Sequence, residues 1–396
     1  MANNLSSNIT RPLAKIFLEA FESSRVVTKT VNTQLLSGKF NPSTGTKVDF
    51  KRPHDYNTIR TSGGDISGSA KSNIIAGKAT GTVQPFFTAA TEYENIQQAL
   101  ELDQLDQILE PMARRLVTDL ELDLAKFMRI NTGLNYGARG TAVDAWSDVA
   151  GAGAMMDSVG VPMSDNKYYL MNPFTTTSLA SAQSGLNAAD GLVRTAFEKA
   201  QIASNFGGMK ALTSNALSSY TSGSTTDRLG DLKTAPDATY VTAKDTMQQT
   251  MVIETLGTGT IEAGDQIQVA GVNRLNIATR QLILDATGAA VPWTGTVLSV
   301  VTIAGNEATV VVSGAAIYEA NGQYNNVDAA PAAGAVVTIL GAAATVYQPN
   351  LFYTEQAFGL GTVKLPKLYS TDTVATTSDG MSIRVSKYSD GDANTQ

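Results

Sequence analysis

Apolar and polar positions along the chain keep three different rhythms in turn. Residues 10–23, TRPLAKIFLEAFES, place Leu13, Ile16, Phe17, Ala20 and Phe21 at the i, i+3, i+4, i+7, i+8 spacing of one helix face. Thr10 caps this predicted helix and Pro12 is tolerated in its first turn. Its apolar face has two open uses: packing on the chain's own core, or docking as an arm on a neighbouring subunit. Residues 36–90 read as extended. Val48 and Phe50 alternate with Asp49 and Lys51, Pro53 breaks the run, TSGGDISGSAKSN is turn-rich, and TVQPFF resumes strand character. This pattern predicts a long hairpin standing off the body. A hairpin that cannot bury itself is marginal alone, so it either moves freely or lies on another subunit.

The strongest periodicity fills 94–130, where Leu102, Leu105, Leu109, Met112, Leu116, Leu120, Leu124 and Phe127 form a stripe at steps of three to four. Such a helix would span roughly 50 Å, with a kink or restart at Pro111. From 141 to 222 short helices and strands alternate. DAWSDVAGAGAMMDSVG is a helix stopped by Gly160, KYYLMN a strand, FTTTSLASA a helix capped by Asn172-Pro173, VRTAFEKAQIAS another helix, and KALTSNAL a strand. The third rhythm is strict alternation. AGDQIQVAGV at 263–272 opens on a Gly-Asp turn and then alternates Gln266, Ile267, Gln268, Val269, one wet face and one dry. With TMQQTMVIETL, GTVLSVVTIAG, ATVVVSG and AVVTILG it fills 225–345 with about five or six short strands, a small barrel or sandwich. A charged loop, with Asp227, Arg228, Asp231, Lys233, Asp237, Lys244 and Asp245, stands before it. A mixed segment comes after it, and SIRVSKYS is a last strand.

Composition changes this picture in few places. The 396 residues suffice for two or three domains. Only 16% are charged, against roughly 25% in average proteins, so Thr, Ser, Asn and Gln carry the surface. Acidic residues outnumber basic ones, 36 to 29, for a net charge of -7, and no basic run provides a footprint for tight general DNA binding. The N-terminus has no secretory pattern and no run approaches the about 18 apolar residues of a membrane span; a soluble, intracellular product is expected.

Candidate chemistry is sparse. Without cysteine, disulfides, thiolate metal sites and cysteine nucleophiles are excluded. The single histidine, His54, follows Pro53 in an exposed turn and rules out multi-histidine zinc sites. LGTGTIEAG lacks the phosphate-loop spacing, GDISG puts Ser67 one place too late for a nucleophile elbow, and Asp390 and Asp392 lack the later Glu of a calcium loop. Glu101, Asp103, Asp106 and Glu110 read as a solvated helix face, with Glu110 and Arg114 an exposed pair. Neither a cofactor nor an enzymatic activity is expected.

The order of segments is informative. An N-terminal helix, a long hairpin, a long spine helix, and an α+β domain carrying KYYLMNP and FGGMKALTSN resemble the HK97-type major capsid proteins of tailed phages. The β block inside the α+β domain, with AGDQIQVAGV its most recognisable piece and YQPNLFYTEQAFGLGTV the return to the host domain, resembles the P22-like coat proteins with an inserted six-stranded barrel. The resemblance covers nearly the whole chain and rests on layout more than on invariant residues.

It implies an α+β, HK97-type fold divided as 1–46 N-terminal arm, 47–90 extended hairpin, 91–140 spine helix and peripheral domain with 366–396, 141–224 axial domain with 346–365, and 225–345 inserted antiparallel β-barrel. It implies a structural protein whose copies assemble as pentamers and hexamers around double-stranded DNA in the host bacterial cytoplasm. A scaffolding protein and a portal are the further partners, DNA is contacted weakly, no membrane is involved, and the shell expands on maturation. The arm (Leu13, Ile16, Phe17, Phe21), the hairpin (Arg52, Lys71, Lys78) and the charged loop (Asp231, Lys233, Asp237, Lys244, Asp245) are the implied inter-subunit contacts. Some related capsids crosslink a lysine to an asparagine, and nothing in the sequence supports that here. The acidic balance suits a container, since a basic lining would hold DNA against release. Family members usually carry a further strand after the equivalent of SIRVSKYS, so the last part of that sheet is the least secure expectation. An encapsulin-like shell shares the fold without the barrel. A secreted Thr/Gly-rich adhesin would need a signal.

Overall fold

The computed structural model describes residues 18–33, 47–91, 105–184, 199–200, 202–363, 367, 372–378 and 380–386. They fall into two compact units, one drawn from 1–47, 82–125 and 354–396, the other from 48–81 and 126–353.

The larger unit contains the alternating block, and there the strands close. β7 (Leu229–Leu232), β8 (Gln248–Glu254), β10 (Gln266–Asn273), β11 (Pro292–Val297), β13 (Ala308–Ser313) and β14 (Val336–Ile339) form a barrel in the order β10-β11-β13-β8-β7-β14, every pair antiparallel. Inward side chains make a continuous core that includes Leu232, Met251, Ile253, Ile267, Val269, Trp293, Val310, Val312 and Val337. A short antiparallel pair, β9 (Thr260–Ile261) with β12 (Val301–Thr302), adds Ile261 to the same core. Trp293 is fully buried and its indole N–H donates to the Gly314 carbonyl at 2.9 Å, the partner a buried indole requires. In AGDQIQVAGV, Ile267 and Val269 point inward as the alternation predicts. Gln266 is buried too and donates to the Thr296 hydroxyl at 3.3 Å, so this face is less wet than its sequence suggests.

The position of the charged loop is a correction. Leu229–Leu232 is itself a barrel strand, so residues 233–247 lie between the first two strands of the closed barrel, not ahead of it. LGDL is short and holds a glycine where strand signals favour β-branched residues. Gly230 is there because a Cβ would stand 2.7 Å from the Glu254 carbonyl and 2.8 Å from the Ile253 side chain.

The α+β part of this unit follows its sequence closely. α2 (Trp146–Val159) ends at Gly160 with φ 108°. β3 (Lys167–Met171), β4 (Asn205–Phe206), β5 (Met209–Thr213) and β16 (Leu351–Thr354) form a sheet in the order β16-β3-β5-β4, with β3 and β5 parallel. Val149, Ala152 and Met156 of α2 pack on Tyr169, Met171 and Met209 of the sheet and on Leu179 of α3 (Pro173–Ser184). Asn172 caps α3, its side-chain carbonyl accepting the Thr175 N–H at 2.8 Å. Of the helix predicted in VRTAFEKAQIAS, residues 193–198 and 201 lie outside the described residues, Lys199 is helical, and Ile202, Ala203 and Ser204 are not, so the helix ends before the predicted boundary. Two short strands, β6 (Tyr220–Thr221) and β15 (Val346–Tyr347), pair antiparallel where the chain enters and leaves the barrel block.

The smaller unit is built on the long helix α1 (Leu105–Ile130), whose residues up to Ala125 belong to it. The helix runs on through Pro111 without restarting. Its inner face is shifted from the predicted stripe. Ala113, Val117, Glu121, Leu124, Ala125 and Met128 are buried, Met112, Leu116 and Leu120 flank them, and Phe127 is 55% exposed. Leu124 of the predicted stripe is inside, but the fully buried row is set one position on, where Ala113, Val117 and Ala125 are small enough for close packing. Ala20 and Phe21, in the helical residues 18–24, pack with Ala113, Val117 and Met381. β17 (Thr373–Thr376) and β18 (Ser382–Val385) form a two-stranded ribbon, the second being the strand expected in SIRVSKYS.

Candidate functional site

The segments expected to reach other subunits are the natural candidates. Leu13, Ile16 and Phe17 lie outside the described residues. Phe21 is buried at 5% exposure in the chain's own core. Of the two uses open to the arm's apolar face, packing at home is the one Phe21 takes within this chain.

The hairpin is present but does not stand off the body. β1 (Lys47–Lys51) and β2 (Lys78–Thr82) pair, tied by Lys78 to Asp49 at 2.8 Å and by the Arg52 N–H to the Gly77 carbonyl at 2.9 Å. The segments between them lie along the same chain's barrel. Asp55 pairs with Arg280, the Asn57 amide donates to the Asn321 carbonyl at 2.8 Å, and Gln323 donates to the Asn73 carbonyl at 2.6 Å. The Lys78 N–H reaches Asp245 at 3.2 Å. At the centre of this seat Tyr240 stacks on Tyr324 with ring centroids 3.6 Å apart, and Ile75 packs beside them. Gly77 is buried against them, with room for no side chain. The structure thus brings together Arg52, Lys78, Lys244 and Asp245 from the sequence-derived candidates. Lys71 is exposed on the stretch between the two seated segments.

Electrostatics here are local. Asp49 holds the Lys78 ammonium above its ordinary pKa, and the neighbouring Lys244 holds Asp245 below the carboxylate range. Asp237 sits in a turn where the Thr242 hydroxyl at 2.6 Å and the Thr239 N–H at 2.9 Å both donate to it, which also lowers its pKa. The remaining two candidates are elsewhere on the barrel. Asp231 accepts from the Thr255 hydroxyl at 2.8 Å, and Lys233 pairs with Glu307.

A second cluster, which the sequence did not announce, lies at the neck of the barrel. The guanidinium of Arg129 stands 4.3 Å and that of Arg139 5.4 Å from the ring centre of Tyr220 in β6, and Arg139 is also 6.0 Å from the Tyr347 ring in β15. Such contacts are worth about 0.5–2 kcal/mol each. Arg139 donates to the Gly264 carbonyl at 3.1 Å, and Asp265 accepts the Gly223 N–H at 2.9 Å. The Gly-Asp turn that opens AGDQIQVAGV is therefore also the anchor of the neck. Burial pushes Arg139 down to about 10, with Asp265 opposing. The sequence signal was faint: two arginines separated by ten positions, and tyrosines more than a hundred residues apart.

Apolar surface concentrates on the hairpin and the residues just after it. Ile74 and Phe86 are each 76% exposed, with Tyr56, Ile59, Ile66 and Phe87 also exposed. On the α+β part, Met163 and Phe174 are exposed. Scattered apolar side chains are ordinary, but several exposed along one segment mark an interaction surface. Among the described residues no group of acidic or histidine side chains is arranged to hold a metal, and no helix is long and apolar enough to cross a membrane.

A barrel carried on a paired neck inside an α+β domain agrees with the barrel-bearing coat class that the sequence resembles. The chain belongs to the P22 coat protein family: the family model described as "P22 coat protein - gene protein 5" matches residues 1–396. It is 46% identical over 401 residues to the major capsid protein of Acyrthosiphon pisum secondary endosymbiont phage 1, covering all of this chain and 94% of that protein. Among solved structures it is similar to one from Mycobacterium phage Che8 (15% identity, 73% of this chain and 88% of that one, TM-score 0.33). It is likewise similar to the mature capsid of bacteriophage PhiM1 (12% identity, 81% and 83%, TM-score 0.32). Likenesses at those scores carry no weight in assigning the function.

Proposed function

We propose that this chain is the major capsid protein of a phage, a structural subunit whose copies self-assemble into the shell. The observation that carries this is the family match across all 396 residues. The closed barrel inserted into an α+β domain supports it independently, because the sequence resemblance required that element in that place. The finer reading is an HK97-type subunit divided into arm (1–46), hairpin (47–90), spine and peripheral domain (91–140 with 366–396), axial domain (141–224 with 346–365) and barrel (225–345). It would form pentamers and hexamers on a scaffolding protein, with a portal, around DNA held weakly by a shell whose subunits each carry a net charge of -7. Assembly in the host bacterial cytoplasm and expansion on maturation complete this reading.

The contacts proposed between subunits are those the chain does not use on itself. Lys71 and the exposed apolar side chains Ile59, Ile66, Ile74, Phe86 and Phe87 are left open. Arg52, Lys78, Lys244 and Asp245 have a prior role in seating the hairpin, and Asp231, Lys233 and Asp237 are on the outside of the barrel block. A weakly held segment gains order when burial on a neighbour stabilises it, and a heterologous contact that closes makes rings. Electron microscopy of the expressed full chain, alone and with a co-expressed scaffolding protein, is the test. Closed shells of many copies are expected, and a chain that stays monomeric under every condition would refute the assignment.

A further inference from the structure

Glu121 is 5% exposed on the inner face of α1, within the smaller unit. Four donors from one short stretch converge on a single carboxylate oxygen. They are the N–H groups of Val26, Val27 (2.8 Å) and Thr28 (3.4 Å), and the Thr28 hydroxyl (3.5 Å). The stretch is a tight turn, Val27–Lys29, closed by the Thr30 hydroxyl on the Val27 carbonyl at 2.7 Å. Val27 and Thr28 are themselves buried. One side chain of the long helix thus holds the backbone of the amino-terminal segment.

Among the described residues no lysine or arginine pairs with Glu121. Arg25, the nearest in sequence to the donors, directs its guanidinium to the Met381 sulfur at 2.7 Å and lies over the Phe21 ring. The other charged groups on these elements are Glu19 and Glu22 before the turn, Lys29 on it, Glu110, Arg114, Arg115, Asp119, Asp123, Lys126 and Arg129 on the helix, and Asp372 and Arg384 by the carboxy-terminal ribbon. None of them bonds the Glu121 oxygens. A buried ion without a counter-charge costs free energy that hydrogen bonds only partly offset.

We propose that Glu121 is a charge-sensitive clasp for the amino-terminal segment, seating it most firmly when neutral and priming it for release when ionised. The direction of its titration agrees. Burial raises its pKa, ahead of the lowering by the backbone donors of Val26, Thr28 and Val27. The seated form therefore binds its proton more tightly than the released form. Seating is fully favoured below the ordinary carboxylate pKa and weakens as pH rises through the raised one. Near neutrality the segment is held by its four donors against the cost of a buried charge, the balance a segment that must move would need.

Trypsin reads this directly in the full-length chain. Cleavage after Arg25 requires release, because Arg25 is buried and the Val26 N–H is bound, whereas Arg60 is exposed and serves as the internal reference. Glu121→Gln keeps an accepting oxygen without the charge. It should slow the Arg25 cut roughly three- to tenfold relative to the Arg60 cut, the order expected when a buried charge is neutralised. Glu121→Ala orphans the donors and should speed it. Amide exchange at residues 26–28 of the wild type, corrected for intrinsic rates, should lose protection as pH rises through the carboxylate range. A Gln variant cut as fast as or faster than wild type overturns the proposal. So does protection that is flat or rises with pH in the wild type, a result independent of whether either variant folds.

Discussion

Gly77 is the tightest point of the hairpin's seat, and Gly77→Ala tests whether that seat exists in solution. An alanine Cβ would stand 2.8 Å from the Lys244 carbonyl, 2.9 Å from the Tyr240 hydroxyl and 3.3 Å from the Arg52 side chain. The first is backbone, fixed by the Lys244 N–H on the Tyr240 carbonyl at 2.7 Å, and the second belongs to a ring stacked on Tyr324. Neither can yield without disturbing its neighbours. Overpacking of this kind costs about 1–3 kcal/mol, of which about 0.4–1 kcal/mol is offset by the stiffer unfolded chain. The net, about 1–2 kcal/mol, reduces the ratio of seated to unseated hairpin roughly 5- to 30-fold. Amide exchange of the unassembled full chain is the assay. Residues 52–58 and 73–78 should lose protection while the barrel strands keep theirs. Gly81→Ala, whose Cβ meets the Phe50 ring at 3.6 Å and the Val48 carbonyl at 3.8 Å in ordinary contact, and Gly68→Ala, with nothing within 4 Å, should both be silent. Equal protection in the Gly77 variant and its two controls would mean that the hairpin does not rest on the barrel in solution.

Two further outcomes are expected of the barrel. Trp293→Ala empties a fully buried site and loses the bond to Gly314, so thermal unfolding should show a loss of about 3–5 kcal/mol; a loss below about 1 kcal/mol would place Trp293 outside the core. Asp237 has its carboxyl held low by Thr242 and Thr239, so it supports its turn above the ordinary carboxylate pKa, and that support fades as pH falls through the lowered value. The Thr239 amide resonance should titrate below about pH 3.9, and a midpoint at or above that value would contradict the turn.

What the sequence made legible was local. Five barrel strands announce themselves by alternation, as Ile267 and Val269 do, and Gly160 and Asn172 mark their helix boundaries by mechanisms that act within four residues. The first barrel strand escaped because Leu229–Leu232 is defined by its neighbour. Gly230 makes sense only when the Glu254 carbonyl is known to lie against it. The inner face of α1 escaped for a related reason. Ala113, Val117, Glu121 and Ala125 keep a strict i, i+4 row, but the leucines beside them carry more apparent hydrophobicity, and a glutamate on that row looks like one more solvated acid. The seat of the hairpin was out of reach altogether. It joins Asp55 to Arg280 and Asn73 to Gln323 across more than two hundred residues, through residue types that are ordinary surface.

The character of those contacts bears on how such a chain can serve a shell. The barrel is closed by six antiparallel pairings around a buried tryptophan and should be the most persistent part of the chain. The hairpin is held by a different class of interaction. Its ion pairs are solvent-accessible, Lys78 with Asp49 half exposed and Arg280 with Asp55 partly so, and pairs of that kind contribute about 0–1 kcal/mol each. Its apolar share is small: Ile75 beside two stacked tyrosines, with Ile59, Ile66 and Ile74 left in solvent. Local stability therefore falls steeply from barrel to hairpin. A segment seated weakly at its base, with its apolar side chains outward, keeps its geometry while leaving its binding surface uncommitted. A neighbouring copy that buries Ile74 and Phe86 gains about 1.5–3 kcal/mol for each, more than any single contact of the seat returns. On the proposed reading, such a seat would orient the hairpin for capture by a neighbouring copy without outcompeting it.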